Sequence, residues 1–248
     1  MYEGVHARPD GESTVARMAL TARDYGFDGI VVRNHGDLPA SYDPATIPEE
    51  YGVDVVTGVE VRADDVSRAS GFVGSARDDQ TVVAVHGGDA EINRFAVEQP
   101  AVDVLAHPMR GDGDVNHVLA QAAADNGVRV EFDLGPVLRG EGGERVQAIA
   151  DLRKLREILT QYDVPFVVSA NARSHLEVRA PRELQAVGEA IGFTEGEIEA
   201  GLEEWRVLAE RNRERASDAF VEPGVRTVND DGAAEDVSGG DDDGDDDR

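Results

Sequence analysis

The strongest constraint on this chain is a repeated alternation between short valine-rich runs and stretches with helical spacing. The runs are YEGV (2–5), GIVVR (29–33), DVVTGVEV (54–61), TVVAVHGG (81–88), VDVLAHP (102–108), VRVEFDL (128–134) and PFVVSA (165–170). Each is apolar on both faces, as strands of a buried parallel sheet are. Between and after them lie amphipathic stretches. In ESTVARMALTARDYG (12–26), Val15, Met18, Ala19 and Ala22 share one helical face and Gly26 supplies a stop. AEINRFAVEQ (90–99), VNHVLAQAAADNG (115–127), GGERVQAIADLRKLREILTQY (142–162), PRELQAVGEAIG (181–192) and TEGEIEAGLEEWRVLAERNRERAS (194–217) read the same way. Repeated β-then-α units define the α/β class, either a barrel or a doubly wound sheet. About seven strands within roughly 220 residues fit a somewhat reduced TIM-like (β/α) barrel better. The expected organisation is one barrel domain, 1–222, and an acidic tail, 223–248.

Charge is the second constraint. The chain carries 51 acidic and 24 basic residues, a net charge of −27, and Lys154 is its one lysine among 23 arginines. From Asn229 onward, ten acidic residues and almost nothing apolar predict disorder. The rest is acidic in its own right: residues 1–228 hold 41 acidic and 23 basic residues, a net charge of −18. An acidic excess spread over the whole chain, with lysine nearly absent, points to a protein made for molar salt. Such a charge is an environmental adaptation and does not exclude a nucleic-acid partner. Without cysteine there is neither a disulfide framework nor thiolate chemistry. The N-terminus lacks a signal-like pattern and no run reaches membrane-spanning length, so a soluble, cytoplasmic protein is expected.

Function in a barrel concentrates where strands end at the C-terminal rim. There this chain places His6, Arg33-Asn34-His35, Glu60, His86, His107, Glu131, Asp133, Asn171 and Arg173. Convergent His and Glu suit a metal or phosphate site, although an isolated histidine is more commonly a hydrogen-bonded core residue.

The order VHARPDG, VVRNHGD, TGVEV, LAHP and SANARS resembles the motifs of the PHP superfamily of metal-dependent phosphoesterases. Their ligands are His-x-His, Asp-His, Gly-x-Glu, a lone His and Asp-x-His. His6, His35, Glu60 and His107 are retained. Four positions depart: Gly4 stands for the first His, Asn34 and Asn171 for Asp, and Arg173 for His. Glycine cannot ligate, the amides remove anionic charge and arginine adds a permanent cation. The resemblance therefore implies at most a residual metal site on His6, Glu60 and His107.

A narrower resemblance accounts for these losses. The Asn93-Arg94 pair before a helix, the strand ending in His107-Pro108 and the run Arg179-Ala180-Pro181-Arg182-Glu183-Leu184 are similar to the archaeal ribonuclease P protein component 3 family. Its eukaryotic counterpart is the thirty-kilodalton subunit. The likeness covers 1–222. It implies a non-catalytic subunit that supports the catalytic RNA of an endoribonuclease removing the 5′ leader from precursor tRNA. Implied partners are the ribonuclease P RNA, precursor tRNA, the ferredoxin-like component 2 and other ribonuclease P proteins, with no membrane. No cofactor of its own is implied, the hydrolytic magnesium being bound by the RNA. The alternatives are a PHP-like phosphoesterase with a reduced site, and a structural barrel with another partner.

For RNA contact, Arg179 and Arg182 bracket Pro181 at a helix start, which suits a phosphate. Arg33, Arg110, Arg139 and Arg173 follow strands and could share the rim, or pair with the abundant carboxylates. Arg206, Arg211, Arg213 and Arg215, interleaved with glutamates, read as a solvated, salt-bridged helix face. With five per cent aromatics there is no stacking platform, so recognition of backbone and shape is expected.

The charge makes a measurable demand. Screening falls as the Debye length grows from about 3 Å at 1 M to about 10 Å at 0.1 M salt. The thermal midpoint should therefore be lower in roughly 0.1 M than in roughly 2 M KCl. An equal or higher midpoint in dilute salt would remove the halophile reading.

Overall fold

A computed structural model describes residues 1–217 and the backbone of 220–222 and 225–226. Seven parallel strands run in chain order: β1 Tyr2–Val5, β2 Gly29–Val32, β3 Asp54–Val61, β4 Val82–His86, β5 Val104–Ala106, β6 Arg129–Asp133 and β7 Phe166–Ser169. Neighbours pair in parallel register from β1 to β7. The sheet closes into a barrel through a single bridge, Val5 to Ala172, where the His6 N–H donates to the Ala172 carbonyl at 2.9 Å.

The helices are α1 Val15–Asp24, α2 Thr46–Tyr51, α3 Val66–Asp79, α4 Ala90–Glu98, α5 His117–Asn126, α6 Gly135–Arg139, α7 Gly142–Gln161, α8 Pro181–Ile191 and α9 Glu195–Arg215. The chain divides into two units. The first, Met1–Arg213, is the barrel; the second, Glu214–Arg248, contains the short antiparallel pair β8 Phe220–Glu222 and β9 Val225–Arg226. The remainder of the expected acidic tail lies outside the described residues. No helix among the described residues is long and apolar enough to cross a membrane.

The periodic segments become the expected elements. The face of α1 foreseen as apolar, Val15, Met18, Ala19 and Ala22, is buried. Three helices carry no comparable signal. α3 contains Gly71, Gly74 and three serines, poor helix formers. It forms because Asp65 caps it, accepting the Arg68 N–H at 2.9 Å, and because Ala69 and Val73 pack inward. α2 and α6 span six and five residues, too short for periodicity to register.

Period-2 alternation sorts side chains between two cores. Val5, Ile30, Val32, Val55, Val83, Val85, Val130 and Val168 face the helices. Tyr2, Val31, Val56, Val82, Ala84, Val104 and Val167 fill the barrel interior with Trp205, Leu208 and Ala209 from α9. α9 thus closes the base of the barrel. The fully buried Trp205 donates its indole N–H to the Val168 carbonyl at 2.9 Å. Further along, Asn212 and Arg211 bind Asp103, and Arg213 binds Asp54, at the starts of β5 and β3. The sequence expectation for this arginine cluster is corrected here. Arg206 makes within-helix pairs, to Glu203 and Glu210, whereas Arg211 and Arg213 also tie the helix to the barrel.

The seam between β1 and β7 needs a substitute for missing strand bonds. Glu3, buried, accepts the Ala170 N–H at 2.9 Å. Burial pushes its carboxyl up to about 8, against the opposing pull of that N–H and of Arg33. The unfolded chain releases this proton near 4.5 and the folded chain near 8, so this group's contribution to stability falls as pH rises between those values and stays lost above them. Glu3→Gln keeps an acceptor for Ala170 without the ionisation. The variant's advantage over wild type in denaturant unfolding should therefore grow from about pH 4 to about pH 9. An advantage independent of pH would refute the assignment.

Candidate functional site

The interior changes character along the barrel axis. Every second residue of a strand points inward, so Val31 is followed by Arg33 and His35, Val56 by Gly58 and Glu60, and Ala84 by His86. Val167 is likewise followed by Ser169 and Asn171. Apolar packing over α9 thus gives way to a polar mouth at the C-terminal rim.

Arg33 occupies the centre of that mouth. Its side chain is 0% exposed. Nη2 donates to Glu131 Oε1 at 2.5 Å and to Asn171 Oδ1 at 3.2 Å, and Nη1 donates to Glu60 Oε2 at 3.1 Å. The guanidinium lies 5.5 Å from the Trp205 ring centroid. Burial among carboxylates holds its pKa above the usual arginine value, Glu131 and Glu60 outweighing the desolvation.

Glu60 is the anionic hub. His107 Nε2 lies 3.2 Å from it, His35 Nε2 3.4 Å, His6 Nε2 3.5 Å, and His86 Nδ1 makes a short contact. Although burial opposes ionisation, His107 and Arg33 hold this carboxyl well below its usual range. Asp10 is a second hub: Oδ2 contacts His6 Nδ1 at 2.7 Å and His35 Nδ1 at 2.9 Å, and Oδ1 accepts from Arg173 Nη2 at 2.7 Å. His107 has a carboxylate at each ring nitrogen, Glu60 at 3.2 Å and Asp133 at 3.0 Å. Burial alone would lower its pKa, but Glu60, Glu131 and Asp133 push it up to about 10. It is therefore an imidazolium that donates from both nitrogens. His6 and His86 are shifted down by burial and stay neutral.

Each departure from the metal-binding pattern has a structural reason. A Cβ at Gly4 would stand 3.0 Å from Arg33 Nε and 3.2 Å from Trp205, so Gly4 makes room for the arginine. The Asn34 amide accepts from the Ala7 N–H and donates to the Ala7 and Leu38 carbonyls, which a carboxylate cannot do. Asn171 accepts from Arg33 and donates to Asp133. Arg173 neutralises Asp10. His107 and Asn171 also adopt φ of 52° and 50°, left-handed backbone at the rim that Asn and His tolerate better than most residues.

The residual metal set His6, Glu60 and His107 does converge, but a doubly donating His107 is no ligand. Among the described residues, the groups with ligand atoms within 4.8 Å of one another are His35–Glu60–His86 and His6–Asp10–His35. His35, common to both, also has a carboxylate at each ring nitrogen, Asp10 at 2.9 Å and Glu60 at 3.4 Å, which outweigh burial and raise its pKa, so a cation there would have to displace its proton. Arg33 on Glu60 and Arg173 on Asp10 supply cationic charge to both carboxylates, so a two- or three-metal cluster does not fit. The sequence reading did not single out Asp10. Its only signal is its place four residues after His6, in the same loop.

The arginines expected to face RNA divide. Arg33 is a correction: fully buried and ion-paired, it has no surface to offer a phosphate. Arg139 donates to the Ala170 and Asn171 carbonyls, and Arg173 is held by Asp10. Arg179 donates to the Leu176 and Val178 carbonyls. Arg110 and Arg182 are exposed. The helix start at Pro181 is already served by an anion, since the Glu183 carboxylate accepts the Ala180 N–H at 2.9 Å. Arg110 and Arg139 line a cleft of about 1030 Å³ beside the mouth, with His107, Asp133 and Asn171 on its inner wall.

The fold and the mouth define a seven-stranded parallel (β/α) barrel whose C-terminal rim holds an internal ion-pair network. The barrel of a Lactococcus lactis histidinol phosphate phosphatase, solved with zinc, L-histidinol and phosphate, superposes at TM-score 0.53 and 12% identity, covering 77% of this chain and 94% of that one. A chain in the cryo-EM structure of archaeal ribonuclease P with mature tRNA superposes at TM-score 0.79 and 21% identity, covering 94% of this chain and all of that one. In sequence, the family model described as RNase P subunit p30 matches residues 2–217. Ribonuclease P protein component 3 of Haloarcula marismortui is 67% identical over 93% of this chain and 98% of its own length. That of Halobacterium salinarum is 53% identical over 91% and 97%. This chain belongs to the RNase P subunit p30 family.

Arg33 sets the energetics of the mouth. Arg33→Met would leave Glu60 and Glu131 buried without their cation, and should cost about 3–5 kcal/mol in denaturant unfolding. Adding Glu131→Gln should recover part of that loss. A single variant within about 1 kcal/mol of wild type would show that the carboxylates do not depend on Arg33.

Proposed function

We propose that this chain is a protein subunit of ribonuclease P, acting in the cytoplasm to support the catalytic RNA as it removes the 5′ leader from precursor tRNA. One observation carries the division of labour. The Arg33 guanidinium sits among the carboxylates that a hydrolytic metal cluster would need. The chain contributes no catalytic group on this reading. The metal ions of the endonucleolytic step are magnesium bound by the RNA, and a cation at His35, Glu60 and His86 would be structural. Family membership and relatives named ribonuclease P protein component 3 support the assignment. So does the fold shared with a chain of the archaeal ribonuclease P–tRNA complex. The partners on this reading are the ribonuclease P RNA, precursor tRNA, component 2 and the other protein subunits.

The reading of the chain as a phosphoesterase with a reduced metal site rests on the ligand atoms of His35, Glu60 and His86 and is separable by assay. The isolated chain, in molar salt with manganese, zinc or magnesium, should hydrolyse neither phosphomonoesters nor precursor tRNA. Added to ribonuclease P RNA and the other protein subunits, it should raise the rate of 5′ cleavage or lower the magnesium required. Metal-dependent turnover by the chain alone, abolished by His86→Ala, would overturn the proposal.

A further inference from the structure

A feature away from the barrel mouth points to a particular contact with RNA, and rests on the function proposed above. Several arginines on this acidic surface are neutralised locally: Arg62 by Asp37, Arg68 by Asp64, Arg94 by Glu98, and Arg206 by Glu203 and Glu210. Other exposed arginines form no ion pair among the described residues, Arg110, Arg145, Arg153 and Arg182 among them, so it is the grouping of such residues that singles out a site. Arg8 and Arg17 are two such residues, and they line the same shallow pocket, about 450 Å³, together with His175. Neither forms an ion pair among the described residues. Arg8 spends only its Nε, on the Glu12 carbonyl at 2.6 Å, which fixes the side chain while leaving both terminal nitrogens outward. Arg17 stands in the first turn of α1, where a cation opposes the helix dipole and helix stability does not account for it.

The third donor is set by a buried hydroxyl. Ser13 Oγ accepts the His175 backbone N–H at 3.0 Å and lies 2.8 Å from His175 Nδ1. Ser13 is 7% exposed, and Nδ1 is the one acceptor recorded within reach of its hydroxyl proton, so we take the hydroxyl as the donor. That bond assigns the ring proton to Nε2, making His175 a donor from its other edge. Glu12 is the one acidic residue lining the pocket. Two guanidinium forks and an imidazole N–H therefore outweigh one exposed carboxylate. The apolar wall consists of Ala16, Leu20 and the Tyr51 ring. Arg110 and Arg182, also exposed, do not stand in such surroundings: Arg110 shares its cleft with Glu144 and Asp151, and Arg182 is followed by Glu183.

We propose that the pocket between the loops preceding α1 and following β7 is an RNA contact, in which Arg8, Arg17 and His175 bind backbone phosphate. Donors that are cationic, planar and free of internal carboxylates match phosphate oxygens. Because backbone contacts position the RNA and do not read its sequence, the site requires no aromatic platform.

The test is binding of the full chain to ribonuclease P RNA, alone and with component 2, across roughly 0.5–2 M KCl, where each phosphate contact adds to the salt slope. Arg8→Gln with Arg17→Gln should weaken binding about tenfold and flatten the slope of log K against log salt by roughly 1.4–1.8. Arg17→Glu, which disturbs no recorded side-chain bond, should weaken it at least as much. Arg68→Gln with Arg94→Gln, exposed but carboxylate-paired, should change neither quantity. Circular dichroism and thermal midpoints should be unchanged in all variants. If wild type and the Arg8/Arg17 variants bind with equal affinity and slope, the pocket is not an RNA contact, while the ribonuclease P reading stands. If wild type fails to bind the RNA both alone and with component 2, that reading and the pocket fall together.

Discussion

The buried guanidinium of Arg33 is the interaction on which the barrel mouth depends. Two carboxylates, Glu60 and Glu131, are fully enclosed in the same space. Desolvating them without a cation would cost several kcal/mol each. Arg33 meets both with hydrogen-bonded geometry, and the Trp205 ring lies beneath it. The latter contact links the rim to the base, because Trp205 belongs to the helix that closes the barrel. Gly4 completes the arrangement by having no side chain where the guanidinium lies.

The fold is shared with one phosphatase solved with zinc, and in this chain the anions of the mouth have protein cations beside them. A metal site concentrates anions and lets cations compensate them. In this chain the anions remain, and fixed protein cations compensate them instead. Arg33 serves Glu60 and Glu131, Arg173 serves Asp10, and a protonated His107 lies between Glu60 and Asp133. The two asparagines act as connectors, each both accepting and donating, a task closed to the carboxylates they stand for. The polar mouth is thereby knit together by ion pairs and hydrogen bonds across five strand ends.

The outer surface follows a different rule. Carboxylates dominate it, and most arginines are tied to them or to backbone carbonyls. On the function proposed above, an RNA partner would be met by the cations left over. Their value comes from their surroundings as much as their number, since an arginine beside an aspartate has already lost much of its attraction for phosphate. Exposed arginines far from carboxylates are therefore more informative here than in a basic RNA-binding protein.

Seven valine-rich runs and the amphipathic stretches between them were enough to establish a parallel (β/α) barrel, because period-2 and period-3.6 burial are local properties of the chain. Glu60 and His107 were legible because rim positions follow from where strands end, whereas the departures at Gly4, Asn34, Asn171 and Arg173 were legible only through the resemblance to the phosphoesterase motifs. α3 was not legible: its glycines hide a helix that its cap and the barrel wall impose. Nor could local pattern tell that Arg33 turns inward while Arg110 and Arg182 turn out, or that Arg211 and Arg213 bind the strand starts. Asp10 and His175 acquired their partners only through loop packing. Charge pairing joins Asp10 to Arg173 across 163 positions, and hydrogen bonds join Ser13 to His175 across 162. Such partners are chosen by closure of the barrel, because the energy of a charge depends on what surrounds it in space and not on its neighbours along the chain.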